Sequence, residues 1–159
     1  MTVGRAGPSP RTVVIVDDTP ELRGLLSYAL QRHGEFTVVG EADNGEDAID
    51  VVARAQPDLV LLDIAMPVMD GLEALPHIRR MCARAVVVVL SGFGASHMAS
   101  RAVAHGADGY VQKGAPLREV LAQIRDHMAQ AMMRRDVGTS GTQGDLLAGP
   151  GEPADEAGG

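Results

Sequence analysis

The chain has 159 residues, 45% of them hydrophobic, enough for one domain that buries roughly 70% of its unfolded surface without staples. A formal net charge of -7 argues against a sequence-independent grip on nucleic acid, and the single Cys82 excludes an internal disulfide and suits a reducing compartment. No apolar run approaches the ~20 residues that span a bilayer, and residues 1–10 lack the apolar stretch of a secretory signal, so the cytoplasm is the expected location and no membrane partner is expected.

Residues 1–10 are rich in Gly, Pro and small side chains and read as a disordered tail. Arg11 to Val16 is a short, continuous, β-branched run of the kind buried on both faces of a sheet. It ends at Asp17-Asp18. Thr19-Pro20 then predicts a helix start, with Leu22, Leu25, Leu26, Ala29 and Leu30 at helical spacing and His33-Gly34 as the stop. Phe36 to Gly40 is a second strand. Asn44 caps a second helix with Ala48, Ile49, Val52 and Ala53 on its apolar face, and Gln56-Pro57 ends it. The third strand is Asp58 to Leu62. A loop from Asp63 to Asp70 leads into a helix from about Gly71 to Met81, kinked at Pro76. Ala85 to Leu90 is the most apolar strand. A helix from about Ala95 to His105 presents Met98, Ala99, Ala102 and Val103. The short strand Gly109 to Gln112 precedes Lys113. The last helix, Pro116 to Arg134, carries Leu117, Val120, Leu121, Ile124, Met128 and Met132 on one face. Residues 135–159, rich in glycine, read as a disordered tail.

Five βα units in succession predict an α/β fold, a doubly wound five-stranded parallel sheet in the flavodoxin-like order 2-1-3-4-5. In such a sheet every strand's C-terminal end lies on one edge. Asp17 and Asp18 follow the first strand, Asp63 the third, Ser91 the fourth and Lys113 the fifth. Three carboxylates, a hydroxyl and an ammonium are therefore expected in one pocket. Clustered carboxylates raise one another's pKa unless a cation joins them, and Mg2+ suits an open site of oxygen ligands that must still admit a phosphate. Lys113 is the sole lysine among the 14 lysines and arginines, which points to a need for a compact point charge.

Val16-Asp17-Asp18, the run Asp63-Ile64-Ala65-Met66-Pro67-Val68-Met69-Asp70-Gly71, Leu90-Ser91-Gly92 and Tyr110-Val111-Gln112-Lys113 together resemble the receiver (CheY-like) domain of two-component response regulators. The likeness covers residues 11–134. Val39-Gly40-Glu41-Ala42 and Gly106-Ala107-Asp108-Gly109-Tyr110 are most similar to receivers of helix-turn-helix regulators. The resemblance implies that Asp63 is the nucleophile taking a phosphoryl group from a partner's phosphohistidine. It implies that Asp18 and Asp63 ligate Mg2+ directly, Asp17 through water, and Ala65 through its backbone carbonyl. Lys113 would pair with the phosphoryl oxygens and Ser91 would donate a hydrogen bond to them. As a switch, Ser91 would move toward the phosphoryl group and Tyr110 would turn inward behind it, reshaping the face of the last two helices and last strand. Two departures stand out. Gly114 follows the lysine where many receivers have proline, which weakens the expectation of a cis peptide. Ala65 and Phe93 stand where polar side chains often occur, which implies slow self-dephosphorylation with Phe93 as a shield.

The leading reading is a stand-alone receiver, a phosphoacceptor signalling domain that catalyses only its own phosphorylation and dephosphorylation. Its expected partners are a sensor histidine kinase or histidine phosphotransfer protein and a downstream protein target. A homodimer through the first and last helices is a further expectation. Direct nucleic-acid binding is not expected, because nothing after Arg135 could build a helix-turn-helix. Two alternatives are a Mg2+-dependent phosphatase of the haloacid-dehalogenase type and a remnant transcription factor. The first needs a second acid two residues after the nucleophile, where Ala65 stands; silent remnants usually lose an acid or the lysine. Structural roles are expected elsewhere. Met66, Pro67 and Met69 pack the loop, Asp70 caps a helix, and Cys82 is a buried or half-buried small hydrophobe. His33, His77, His97, His105 and His127 are expected on the surface, as are the arginines at 79, 80, 84, 134 and 135.

Overall fold

The computed structural model describes residues 7–92 and 96–140. Its elements alternate throughout: β1 (Arg11–Val16), α1 (Pro20–Gln31), β2 (Phe36–Ala42), α2 (Gly45–Ala55), β3 (Leu59–Asp63), α3 (Gly71–Met81), β4 (Val86–Ser91), α4 (Ser96–Ala104), β5 (Gly109–Gln112) and α5 (Leu117–Ser140). The five strands form one parallel sheet in the order β2-β1-β3-β4-β5, as expected. Residues 7–10 are exposed and outside any element. Of the tails expected at 1–10 and 135–159, residues 1–6 and 141–159 lie outside the described residues.

Strand alternation divides the core into two layers. Val13, Ile15, Leu59, Leu61, Val86, Val88 and Leu90 point to one side, where Leu26 and Leu30 of α1 and Val120, Ile124 and Met128 of α5 cover them. Val14, Val16, Val60, Leu62, Val87 and Val89 point to the other, under Ala48 and Val52 of α2, Leu72, Leu75 and Ile78 of α3 and Ala102 of α4. Both faces are covered, so β3 and β4 are buried at every residue, which is why they read as unbroken apolar runs. Cys82 is part of this core.

Several helix details differ from the sequence expectation. Leu25, Ala53 and Val103 were expected on buried faces but are exposed. The apolar stripe of α1, α2 and α4 is wider than the strip that meets the sheet. Helix α5 does not stop at Arg134 but continues to Ser140, so residues 135–140 are helical rather than tail. At 24 residues it is about 36 Å long. Arg135 tethers this extension: its guanidinium donates to the carbonyls of Arg84 and Ala85, just before β4.

Two arginines expected to be solvated are therefore structural. Arg79 of α3 donates to the carbonyls of Gly106 (2.6 Å) and Ala85 (2.5 Å) and pairs with Asp108. Asp108 in turn accepts from the Val87 amide at 2.9 Å. This clamp closes the end of the β4–β5 unit away from the strands' C-terminal edge. His127, also expected on the surface, is half-buried under β5. Gly109 makes room for it; a Cβ there would stand 2.4 Å from the imidazole.

Candidate functional site

Register brings the expected residues together. Val16 pairs with Leu62, so Asp17 and Asp63 leave their strands at one level. Asp63 pairs with Leu90, and Ser91 pairs with Gln112, immediately before Lys113. The carboxylate oxygens of Asp17, Asp18 and Asp63 come within 4.8 Å of one another. Lys113 Nζ lies 2.5 Å from Asp17 Oδ2 and 3.1 Å from Asp63 Oδ1. Asp17 is fully buried, Asp63 is 4% exposed and Ser91 1% exposed, whereas Asp18 faces solvent. The site is thus a sunken cluster with one acid at its rim.

Asp17 is held at both carboxylate oxygens. Oδ2 takes the lysine and Oδ1 accepts the Thr19 amide at 2.8 Å. Thr19 is the N-cap of α1, but its own side chain makes no capping bond. On the other side, Gly71 opens α3 against the back of Asp63. A Cβ at Gly71 would stand 2.0 Å from the Asp63 carbonyl oxygen, and the Gly71 amide donates to Ile64 at 2.9 Å. The Asp70 carboxylate accepts the Glu73 amide at 2.8 Å, the N-cap role expected of it. Ala65 is exposed on the same loop. Phe93 lies outside the described residues. The peptide between Lys113 and Gly114 is trans, and Gly114 has a φ of 100°, a conformation open to glycine. Tyr110 is half-buried and, like Met98, packs against the core layer that includes Ala102.

The electrostatics follow from burial against pairing. Burial pushes the Asp63 carboxyl up, and Asp17 and Asp18 push the same way. The hydrogen bond and charge of Lys113 pull it down without cancelling the rise. Burial alone would lower the Lys113 ammonium, yet its bonds to Asp17 and Asp63 outweigh that and hold it above the ordinary lysine range. Lys113 is therefore charged at neutral pH and answers only part of a three-carboxylate cluster. The donor set is all hard oxygen, which fits Mg2+. When bound, Mg2+ would supply charge neutralisation for a phosphate brought to Asp63.

Sequence reasoning missed Arg23. Its Nη1 donates to the Asp17 carbonyl at 2.6 Å, and its Nε lies 3.6 Å from Glu41 of β2. Six residues separate it from Asp17 across the start of α1, so no local sequence pattern marks the contact.

Known proteins resemble this chain in sequence and in fold. The sequence model for the response regulator receiver domain matches residues 13–125. Chemotaxis protein CheY of Halobacterium salinarum is 36% identical over 116 residues, 73% of this chain and 95% of that protein. The nitrate/nitrite response regulator protein NarL of Escherichia coli is 36% identical over 124 residues, 78% of this chain but 57% of that protein. The chain thus spans little more than half of that larger regulator. Among solved structures, a LuxR-family DNA-binding response regulator from Staphylococcus aureus superposes with a TM-score of 0.68 at 30% identity, covering 74% of this chain and 98% of that one. A chain of the CheX-CheY-BeF3-Mg2+ complex from Borrelia burgdorferi gives 0.69 at 28% identity, covering 74% and 88%. With the fold, the acidic cluster and these relatives in agreement, this chain belongs to the response regulator receiver domain family.

Proposed function

We propose that Asp63 accepts a phosphoryl group from the phosphohistidine of a sensor histidine kinase or histidine phosphotransfer protein, and that the product changes which downstream protein the domain binds. A carboxylate oxygen of Asp63 attacks phosphorus, the P–N bond breaks, and its electron pair returns to the imidazole of the donor. Asp18 and Asp63 would hold Mg2+ directly, Asp17 through water and Ala65 through its carbonyl. The observation that carries this reading is Lys113 lying 2.5 Å from Asp17 and 3.1 Å from Asp63. One ammonium reaches both the acid that receives the group and the acid beside the metal. Lys113 then turns to the phosphoryl oxygens, and Ser91, buried at the end of β4, donates to them.

The readout we infer runs through α4, β5 and α5. Phosphorylation adds roughly -1.5 to -2 charges at Asp63. Ser91 moves toward them, and Tyr110 turns further into the layer against which it already packs. Hydrogen exchange with and without a small-molecule phosphodonor in Mg2+ tests this. Changes should concentrate in α4, β5 and the start of α5 in the wild type and vanish in Asp63→Asn. Changes confined to α1 and α2 would contradict the switch. Ala65 brings no polar side-chain atom to orient an attacking water, so the phosphoryl label should decay slowly in the isolated protein; rapid loss would overturn that part.

A further inference from the structure

We propose that Arg23 is a positioning residue of the cation site: its bond to the Asp17 carbonyl fixes the peptide from which Asp18 projects. The inference rests on reading Asp17, Asp18 and Asp63 as that site. The other polar groups of Asp17 are committed elsewhere. Its amide donates to Ala42 at 3.0 Å, Oδ1 accepts from Thr19, and Oδ2 accepts from Lys113. Its carbonyl accepts from Arg23 Nη1 at 2.6 Å. That carbonyl and the amide of Asp18 belong to one rigid plane. Asp18 is exposed, so packing does little to place it; the plane does. Glu41 lies 3.6 Å from Arg23 Nε and draws the guanidinium toward the end of β2. Arg23 thereby links α1, β2 and the acid pair.

The sign of the effect separates positioning from charge. A guanidinium near a cation site repels the cation, so its charge alone would weaken binding and its loss would tighten it. A group that orients the ligands does the opposite, and losing such a partner typically costs 10–100-fold in metal affinity. Positioning is the larger effect here, because the guanidinium's charge is partly answered by Glu41 while its bond to Asp17 is short.

The test is calorimetric titration of Mg2+ into wild type, Arg23→Ala, Arg23→Met and Arg23→Lys. Arg23→Met keeps the apolar stem, so it carries the test even where Arg23→Ala folds poorly; melting in EDTA reports folding separately. The expected result is about 10-fold or more weaker binding in the Ala and Met variants, with partial recovery in Arg23→Lys, which restores a donor. Equal or tighter binding in Arg23→Met beside normal wild-type binding overturns this inference alone. A wild type that binds no Mg2+ overturns the site reading and the inference with it.

Discussion

Val68 has a φ of 69°, and the amide of Met69 donates to the Pro67 carbonyl at 2.8 Å across it. That is a γ-turn of the rare, strained hand, centred on a β-branched residue. Such strain costs about 1–3 kcal/mol, against the roughly 0.5–1 kcal/mol by which glycine favours the unfolded chain. Strain wins, so Val68→Gly should raise stability by about 1 kcal/mol in chemical denaturation; a loss would contradict the turn. Val68 is 77% exposed, so the substitution removes little packing. Asp63 gives a pH prediction. Its carboxyl is raised by burial, so the folded state prefers the protonated form. That contribution is complete below the unfolded value of about 4 and is lost as pH rises through the higher folded value. In EDTA at pH 7, Asp63→Asn should therefore melt above the wild type, and the gap should close as pH falls below about 4. Saturating Mg2+ should reverse the order, because it stabilises the protein that binds it. A wild type that is the more stable in EDTA at pH 7 would contradict this electrostatic account.

At the scale of elements, the arginine clamp carries the largest expected loss. Arg79 spans α3, the loop before β5 and the residue just before β4, and its pair with Asp108 is mostly buried. Removing one partner strands the other, so Arg79→Ala should cost about 2–3 kcal/mol. Arg135→Ala, which frees the end of α5, should cost about 1 kcal/mol. Equal effects in urea unfolding would place the clamp's strength elsewhere. The clamp was not legible in the sequence. Arg79 and Asp108 are 29 positions apart, and only the packed fold makes them neighbours. The same holds for the end of α5: glycine and threonine after Val137 look like a helix stop, and the bond from Arg135 to the edge of β4 lies in no local pattern. Strands read well because burial on both faces leaves an unbroken apolar run. Helix faces read less well, since Leu25 fits the stripe but not the contact.

At the scale of the whole molecule, the candidate site was legible for a topological reason. A parallel sheet delivers every strand's C-terminal end to one edge, so Asp17, Asp18, Asp63, Ser91 and Lys113 could be grouped from the order of elements alone. What the order could not supply was the depth of each group. Asp17 is buried and doubly bonded whereas its neighbour Asp18 is exposed, although the two look alike in sequence. Nor could it show Arg23 behind them. Among the described residues, no helix is long and apolar enough to cross a membrane. The layers and the register bring Asp63 to the acidic cluster, and the proposed function makes it the residue where a signal enters. The direct measurement is peptide-resolved mass spectrometry after incubation with Mg2+ and a small-molecule phosphodonor, beside an EDTA control. The account predicts one added phosphoryl group, on the peptide containing Asp63, only when Mg2+ is present, and none in Asp63→Asn. Phosphoryl uptake on any other peptide, or undiminished uptake in Asp63→Asn, would contradict it.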